Sequence, residues 1–428
     1  MSYEQLKGKR LLLMSGSNAT CEIIRVAKSL GIAVYATDYY ENSAAKKMAD
    51  KSFQISTADV SAISSLCKEE KIDGIFSAFT DSVLPYMQQV SVVTGLPFWG
   101  DKHNIDVCID KMQFKMACEK AGVPVIPWMK VKESGYQEKI KDVQCPVVVK
   151  PVDSSGSRGV YKCFDRALLS EYCQKAFKYS QKKEILIERM MKVNNEFSAY
   201  YVMNQGNVRL LSMGDRYVDV VQEDSAPQPK GMLFPSIHQA DFEENIDPLI
   251  KHFFMQNNMR DGFAFIQGFV DDGDFYINEI GYRLNGGFTY KFNEYYNEYN
   301  LVNELLQYSL TGELTPSEFQ KINPHFGGIG LLLTISLSHG VINKIEGVDE
   351  IKRLPGVLDF VCQKKVGDEV VEGGASGKIF GYIHCVASSR KELAELIEKI
   401  RNRLTIENTD NKNQLVGILD VSTLVMSA

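Results

Sequence analysis

Histidine is scarce in this chain, six in 428 residues, and none falls in an HExxH pattern, so a histidine-built zinc site is not expected. The nine cysteines are scattered at positions 21, 67, 108, 118, 145, 163, 173, 362 and 385, with no CxxC pair. An odd, unpaired set of this kind predicts reduced thiols and a cytoplasmic protein. No hydrophobic run approaches the length of a membrane span, and the opening MSYEQLKGKR lacks the apolar core of a signal peptide. The formal net charge of −6 excludes a generic nucleic-acid surface, although local basic clefts remain open. There is no internal repeat and no low-complexity tract. The first glycine turn, Gly16-Ser17-Asn18, is not GxGxxG, so a dinucleotide fingerprint is absent. The GGASGK run at 373–378 lacks Walker spacing and reads as a hairpin turn. What is present, 44% hydrophobic and 24% charged residues, is the composition of a globular protein too long for one core.

The first hundred residues alternate strand and helix. Arg10–Ser15, Ile32–Thr37, Lys51–Ile55 and Ile72–Ala78 read as strands, and Ala19, Ile23, Val26, Ala27 and Leu30 fall at helical spacing before Gly31. That order implies a parallel sheet. It reads as a scaffold or as a source of a few ligands from Gly16, Ser17, Asp38 and Thr80-Asp81. Asp110-Lys111 opens an amphipathic helix carrying Met112, Met116 and Ala117, stopped by Ala121-Gly122-Val123-Pro124. Tyr295, Tyr299, Val302 and Leu306 form an apolar stripe over Glu294–Leu310, and Leu393, Leu396, Ile397, Ile400 and Leu404 another over Arg390–Leu404. Gly327–Gly330 enters a strand over Leu331–Ile335, and Phe380–Val386 is a further strand.

Three stretches carry chemistry. In Pro146-Val147-Val148-Val149-Lys150-Pro151 a lysine ends a buried valine strand, where its desolvation calls for an anion. The loop from Asp153 through Ser154, Ser155, Gly156, Ser157 and Arg158 to Gly159 follows directly, and Ser and Gly can turn successive N–H groups toward one anion. Glu188 and Glu196 are read at the ends of neighbouring strands, either as acceptors for an amine and sugar hydroxyls or as exposed flanking acids. Finally, Ile266–Gly287 reads as a β-hairpin turning at Asp271–Asp274 and ending in Glu279, Arg283 and Asn285-Gly286-Gly287. A carboxylate and an arginine at that spacing suit Mg²⁺ beside a transferring phosphoryl group, and they equally suit a surface ion pair.

The order of these motifs, DK (110–111), GVP (122–124), PVVVKP (146–151), SSGSRGV (154–160), ILIERMM…EFS (185–198) and Q…NEIGYR (267–283), resembles the ATP-grasp superfamily. Within it the chain is similar to carboxylate–amine ligases related to L-amino-acid ligases and to the biotin carboxylase and carbamoyl-phosphate synthetase branch. The resemblance implies an α/β protein: an ATP-grasp fold with an N-terminal Rossmann-like (pre-ATP-grasp) domain over 1–100, a nucleotide-binding region over 101–310 with its lid at about 130–190, and a C-terminal α+β portion over 311–428. It implies ATP with Mg²⁺ or Mn²⁺, small-molecule carboxylate and amine substrates, no nucleic acid and no membrane, and it leaves room for a homodimer. Carried over by position, Lys111 and Lys150 would hold phosphates under a mobile loop from Ser154 to Gly159. Glu188 and the main chain through Met191 would read adenine, Glu196 the ribose, Gln267 and Glu279 the metal, and Arg283 would stabilise the acyl phosphate and tetrahedral species. Two departures stand out. Gln267 replaces the usual Glu twelve residues before the metal acid, and Gly281 replaces the common Asn two residues after it. The activity implied is ATP-dependent ligation through an acyl phosphate. The alternatives are a carboxylating or formate-using enzyme of the same superfamily, or a nucleotide-binding regulator without turnover.

Overall fold

The computed structural model describes residues 3–153, 159–192, 195–219, 228–371 and 375–420. At the N-terminus four short strands pair in parallel in the order Lys51–Phe53, Ala33–Thr37, Arg10–Leu13, Gly74–Phe76. Leu11, Leu12 and Leu13 are buried in succession, as expected of a parallel strand covered on both faces. The helix Thr20–Ser29 follows the first strand, and Gly31 ends it at φ +73. The polar turns collect at the strands' C-terminal ends. There Gly16 lies against Asp38 and Ser43, and a Cβ would fall 1.7 Å from the Asp38 carboxylate, which would have to move.

The helix after Asp110 forms at Lys111–Lys120, and the Asp110 carboxylate accepts from the backbone N–H of Met112 and Gln113. Its inward face differs from the one expected. Phe114, Lys115 and Cys118 are buried, whereas Met116 is 55% exposed. Phe114 packs edge-on against Phe253, and that contact fixes the helix rotation. Beyond it a four-stranded antiparallel sheet, ordered Trp128–Lys132, Glu184–Arg189, Val147–Pro151, Tyr161–Cys163, closes its own core of Val131, Val149, Leu169, Phe177, Ile185 and Ile187.

The largest element is an eight-stranded antiparallel sheet. Its order is Asp274–Gly281, Gly262–Asp271, Glu196–Asn204, Asn207–Asp219, Gln228–Phe234, Ile329–Ser336, Ile379–Ala387, Val357–Cys362. It takes strands from both sides of residue 310. The predicted hairpin is its first two strands, joined through Asp272 and Gly273, both at positive φ (54 and 90).

Three local expectations are corrected. The stretch 294–310 is not one helix: Tyr290–Asn297 and Leu301–Thr311 meet at Glu298, which is left-handed at φ 52, and Asn300 caps the second. Tyr295 is 55% exposed, while Tyr299, Val302 and Leu306 are buried. The GGASGK run is not a hairpin turn. Residues 372–374 lie outside those described, Ala375–Lys378 is a 3-10 turn, and the strand before it, Glu369–Val370, pairs in a different sheet from Ile379–Ala387. Glu188 and Glu196 do not lie on neighbouring strands, because the chain between them crosses from the small sheet to the large one. The other expected elements form with shifted ends: the four N-terminal strands are shorter than read, the strand expected at Leu331–Ile335 runs Ile329–Ser336, and Leu404 falls just past the helix Arg390–Arg401. All nine cysteines are free thiols, and no helix of the described residues is long and apolar enough to cross a membrane.

Candidate active site

The small sheet presents a charged cluster to its surroundings. Val148 pairs with Glu188 and Lys150 with Leu186, so Lys150 and Glu188 are diagonal neighbours on one face. Lys150 Nζ lies 2.6 Å from Glu188 Oε2. The other oxygen, Oε1, lies 3.0 Å from Lys115 Nζ, which also donates to the Ile126 carbonyl at 3.3 Å. Lys115 and Glu188 are essentially sealed from solvent, with 0% and 4% of their side chains exposed. Burial alone would push the Glu188 carboxyl up, but the Lys150 and Lys115 ammoniums outweigh it and hold the carboxyl below its usual range. Lys111, one turn before Lys115, is depressed mainly by burial and by the nearby Lys150 charge, against the opposing pull of Glu279 and Glu188. Two lysines thus meet on one buried carboxylate, and a third, Lys111, lies near enough to feel their charges. This excess of positive charge in a partly desolvated place suits a polyanion.

The large sheet comes near this cluster at Glu279, whose charge reaches Lys111. Glu279, Gln267 and Ser198 stand in one cross-strand row. Gln267 is half-buried and its amide nitrogen donates to Ser198 Oγ at 3.3 Å, while Glu279 is exposed. One carboxylate and one amide oxygen do not make an all-protein cage. Among the described residues no group of three or more His, Cys, Asp or Glu could hold a metal. The set fits a Mg²⁺ that keeps waters and takes its other ligands from phosphates. Two residues along the same face, Glu196 pairs across strands with Arg216 at 2.9 Å.

Arg283 leaves the end of the hairpin and reaches the N-terminal sheet. Its guanidinium grips Asp81, donates to the Leu284 carbonyl at 2.8 Å, and lies 5.1 Å over the Phe265 ring. Phe265 crowds position 281. The two positions pair across strands, and a Cβ on Gly281 would come within 2.4 Å of the Phe265 ring. The loop beyond returns over the sheet. Asn285 donates to Tyr200 Oη at 3.3 Å and accepts from Thr289 at 3.0 Å, and the Gly287 carbonyl accepts from His384 Nε2 at 2.9 Å.

Of the remaining sequence candidates, Met191 is buried beside Arg189. Ser154, Ser155, Gly156 and Ser157 lie outside the described residues, as does most of the loop expected to be mobile. Gly159 is described: at φ +74 it packs so closely on Tyr179 and Pro151 that a Cβ would sit 2.8 Å from Tyr179. The structure therefore pairs Lys150 with Glu188, puts Lys111 within electrostatic reach of both and of Glu279, sets Gln267 and Glu279 in one row, and ties Arg283 to Asp81. Two residues of this face were missed. Ser198 carries no sequence signal. Lys115 does, since it falls four residues after Lys111, the spacing that places two helical side chains on one face.

Three family models match the chain in consecutive blocks. They are the PylC-like N-terminal domain over residues 11–93, the D-ala D-ala ligase C-terminus over 117–293, and the L-amino acid ligase C-terminal domain 2 over 334–409. This is the ATP-grasp fold. The ATP-grasp chain superposes on the L-amino acid ligase from Bacillus licheniformis with a TM-score of 0.77 at 20% identity, covering 94% of this chain and 99% of that one. On the biotin carboxylase domain of the Hydrogenobacter thermophilus 2-oxoglutarate carboxylase, in complex with MgADP, ADP and bicarbonate, the TM-score is 0.74 at 17% identity, covering 95% and 91%. Among curated relatives, the formate-dependent phosphoribosylglycinamide formyltransferase of Sulfolobus acidocaldarius is 21% identical over 207 residues, 47% of this chain and 52% of its own length. The chain spans about half the length of the curated relatives it matches.

Proposed function

We propose that this ATP-grasp chain is an ATP-dependent carboxylate–amine ligase. The observation that carries the reading is the meeting of Lys115 and Lys150 on the single buried carboxylate of Glu188, with Lys111 near enough to feel both this cluster and Glu279, which pairs across strands with Gln267. Lys111 and Lys150 hold the triphosphate. Gln267 and Glu279 would hold its Mg²⁺, whose positive charge would offset that of the phosphates. The main chain from Glu188 to Met191 reads the base and Glu196 the ribose. The loop from Ser154 to Gly159 covers the phosphates and excludes water, which would otherwise hydrolyse an acyl phosphate. A substrate carboxylate then attacks the γ-phosphorus, ADP leaves, and an amine displaces phosphate from the acyl group to give an amide. Arg283 supplies a fixed fork of donors to the oxygens on which charge builds up.

In this reading residues 101–310 bind the nucleotide, with 130–190 as the lid, and residues 1–100 and 311–428 enclose the substrate side. The match of the L-amino acid ligase model over 334–409, together with the superposition on an L-amino acid ligase, favours amino acids as the carboxylate and amine. The formyltransferase relatives make formate the second carboxylate to try. The test is calorimetric titration of the wild-type chain with MgADP and with MgATP. Micromolar-range binding that needs Mg²⁺ is expected, and a chain that binds neither nucleotide overturns the reading.

A further inference from the structure

Lys115 has no exposed surface, although lysine is almost never fully buried unless its charge is met. Its counter-charge is not its own, because Glu188 also holds Lys150, with one carboxylate oxygen turned to each ammonium. The two lysines differ in access. Lys115 is sealed at 0% exposure, whereas Lys150 keeps 11% of its side chain open. Only Lys150 of the pair can therefore meet a ligand, and Lys115 serves the site through Glu188.

We propose that Lys115 is a positioning residue that lets Lys150 divide its charge between Glu188 and a bound phosphate. This rests on the nucleotide reading above and assigns a regulator of phosphate affinity within that site. A buried carboxylate whose only partner is withdrawn is strongly disfavoured. If Lys150 were the sole partner of Glu188, any phosphate oxygen drawing on its protons would have to compete with that penalty. Lys115 removes the competition. It stays on the inner oxygen of Glu188 whether or not a ligand is present, anchored also by the Ile126 carbonyl at 3.3 Å. Lys150 can then turn donors outward without leaving Glu188 uncompensated. The arrangement is a relay of charge only; no proton or bond changes hands.

The test uses the full-length chain and MgADP as the probe, by calorimetry, with thermal unfolding recorded beside it. Lys115→Met should weaken MgADP roughly tenfold or more, the scale of one charge-assisted contact. Turnover at saturating MgATP should stay within about threefold, so the loss appears in KM and not in kcat. In a Glu188→Gln background no carboxylate competes for Lys150, so adding Lys115→Met there should recover the loss and bind MgADP within about threefold of Glu188→Gln alone. A lysine that mattered only for packing would lower stability in both variants without this recovery of affinity. Folded Lys115→Met that binds like wild type overturns the proposal. So does a folded double variant that binds tenfold more weakly than Glu188→Gln alone, and this second comparison stands even if the single variant Lys115→Met does not fold. A wild-type chain that binds no MgADP at all is a different failure: it overturns the nucleotide reading and this inference with it.

Discussion

Arg283 holds Asp81 in a two-point grip, its Nε donating to Oδ1 at 2.8 Å and its Nη2 to Oδ2 at 2.5 Å. The two residues are 202 positions apart in the chain, Arg283 just past the second strand of the hairpin and Asp81 in the turn after the strand Gly74–Phe76. The contact couples the N-terminal sheet to the residue proposed to stabilise the transition state. A bidentate pair fixes the plane of the guanidinium as well as its place. Asp81→Ala should therefore lower ligation by roughly tenfold, and Arg283→Ala by roughly a hundredfold or more, the scale of one lost transition-state donor. Both should leave MgATP affinity within a few fold. Normal turnover in Asp81→Ala would show that the grip does not orient Arg283.

Lys150→Ala tests the phosphate contact from the other side. Losing one charge-assisted donor should weaken MgATP binding by about 1.5–3 kcal/mol, read as a tenfold to hundredfold rise in Kd. The fold should hold, because Lys115 still meets the carboxylate of Glu188. A folded variant with unchanged affinity would remove Lys150 from the site.

The metal row predicts opposite effects at its two positions. Glu279→Gln should raise the Mg²⁺ concentration needed for half-maximal phosphate release, since it leaves two neutral amides in the row. Gln267→Glu should lower it by adding a second carboxylate beside Glu279. Mg²⁺ titration of turnover checks both. Identical curves for the three proteins would place the metal elsewhere.

Much of the site was legible in the sequence because each motif couples a chain-geometry signal to a charge. A lysine ending a valine strand and an Asp-Gly hairpin tipped with Glu and Arg were readable at once. The parallel N-terminal strands were equally plain from their apolar runs. What was not legible depends on contacts between distant elements. The rotation of the helix Lys111–Lys120 is set by Phe114 meeting Phe253, so its buried face could not be chosen from periodicity alone. The break at Glu298 needs a left-handed residue that carries no glycine signal. Glu188 and Glu196 looked adjacent because the crossing between two sheets is short. At Gly281 the sequence shows a departure from the metal motif but not its steric side: the position leaves room for the Phe265 ring beneath Arg283. Gly281→Asn should accordingly destabilise the chain by about 1–3 kcal/mol, in the range for overpacking, without tightening Mg²⁺. Chemical denaturation beside a Mg²⁺ titration decides this, and a stable variant with tighter Mg²⁺ would restore the lost-ligand explanation.

His384 gives a prediction on pH. It is fully buried, and burial foremost pushes its imidazole down to about 4, so it stays neutral in the folded chain and donates from Nε2 to the Gly287 carbonyl. In the unfolded chain the ring takes a proton near pH 6.5. The unfolded state therefore binds more protons between those values, and stability falls as pH drops from 6.5 toward 4. The share from this residue is of order 3 kcal/mol when fully developed. His384→Gln should be less stable at pH 7 but should lose less on going from pH 7 to pH 5. Parallel losses in the two proteins would mean that His384 does not titrate in this way.

The central claim is amide-forming turnover driven by ATP, and it is tested most directly by measuring phosphate release from MgATP beside product formation across a panel of carboxylate–amine pairs, with amino acid pairs and formate included. The account predicts that at least one pair stimulates release many-fold, with ADP, phosphate and amide formed one for one, and that Arg283→Ala abolishes the stimulation while still binding MgATP. A wild-type chain that binds MgATP and is stimulated by no pair would contradict it and leave a nucleotide-binding regulator in its place.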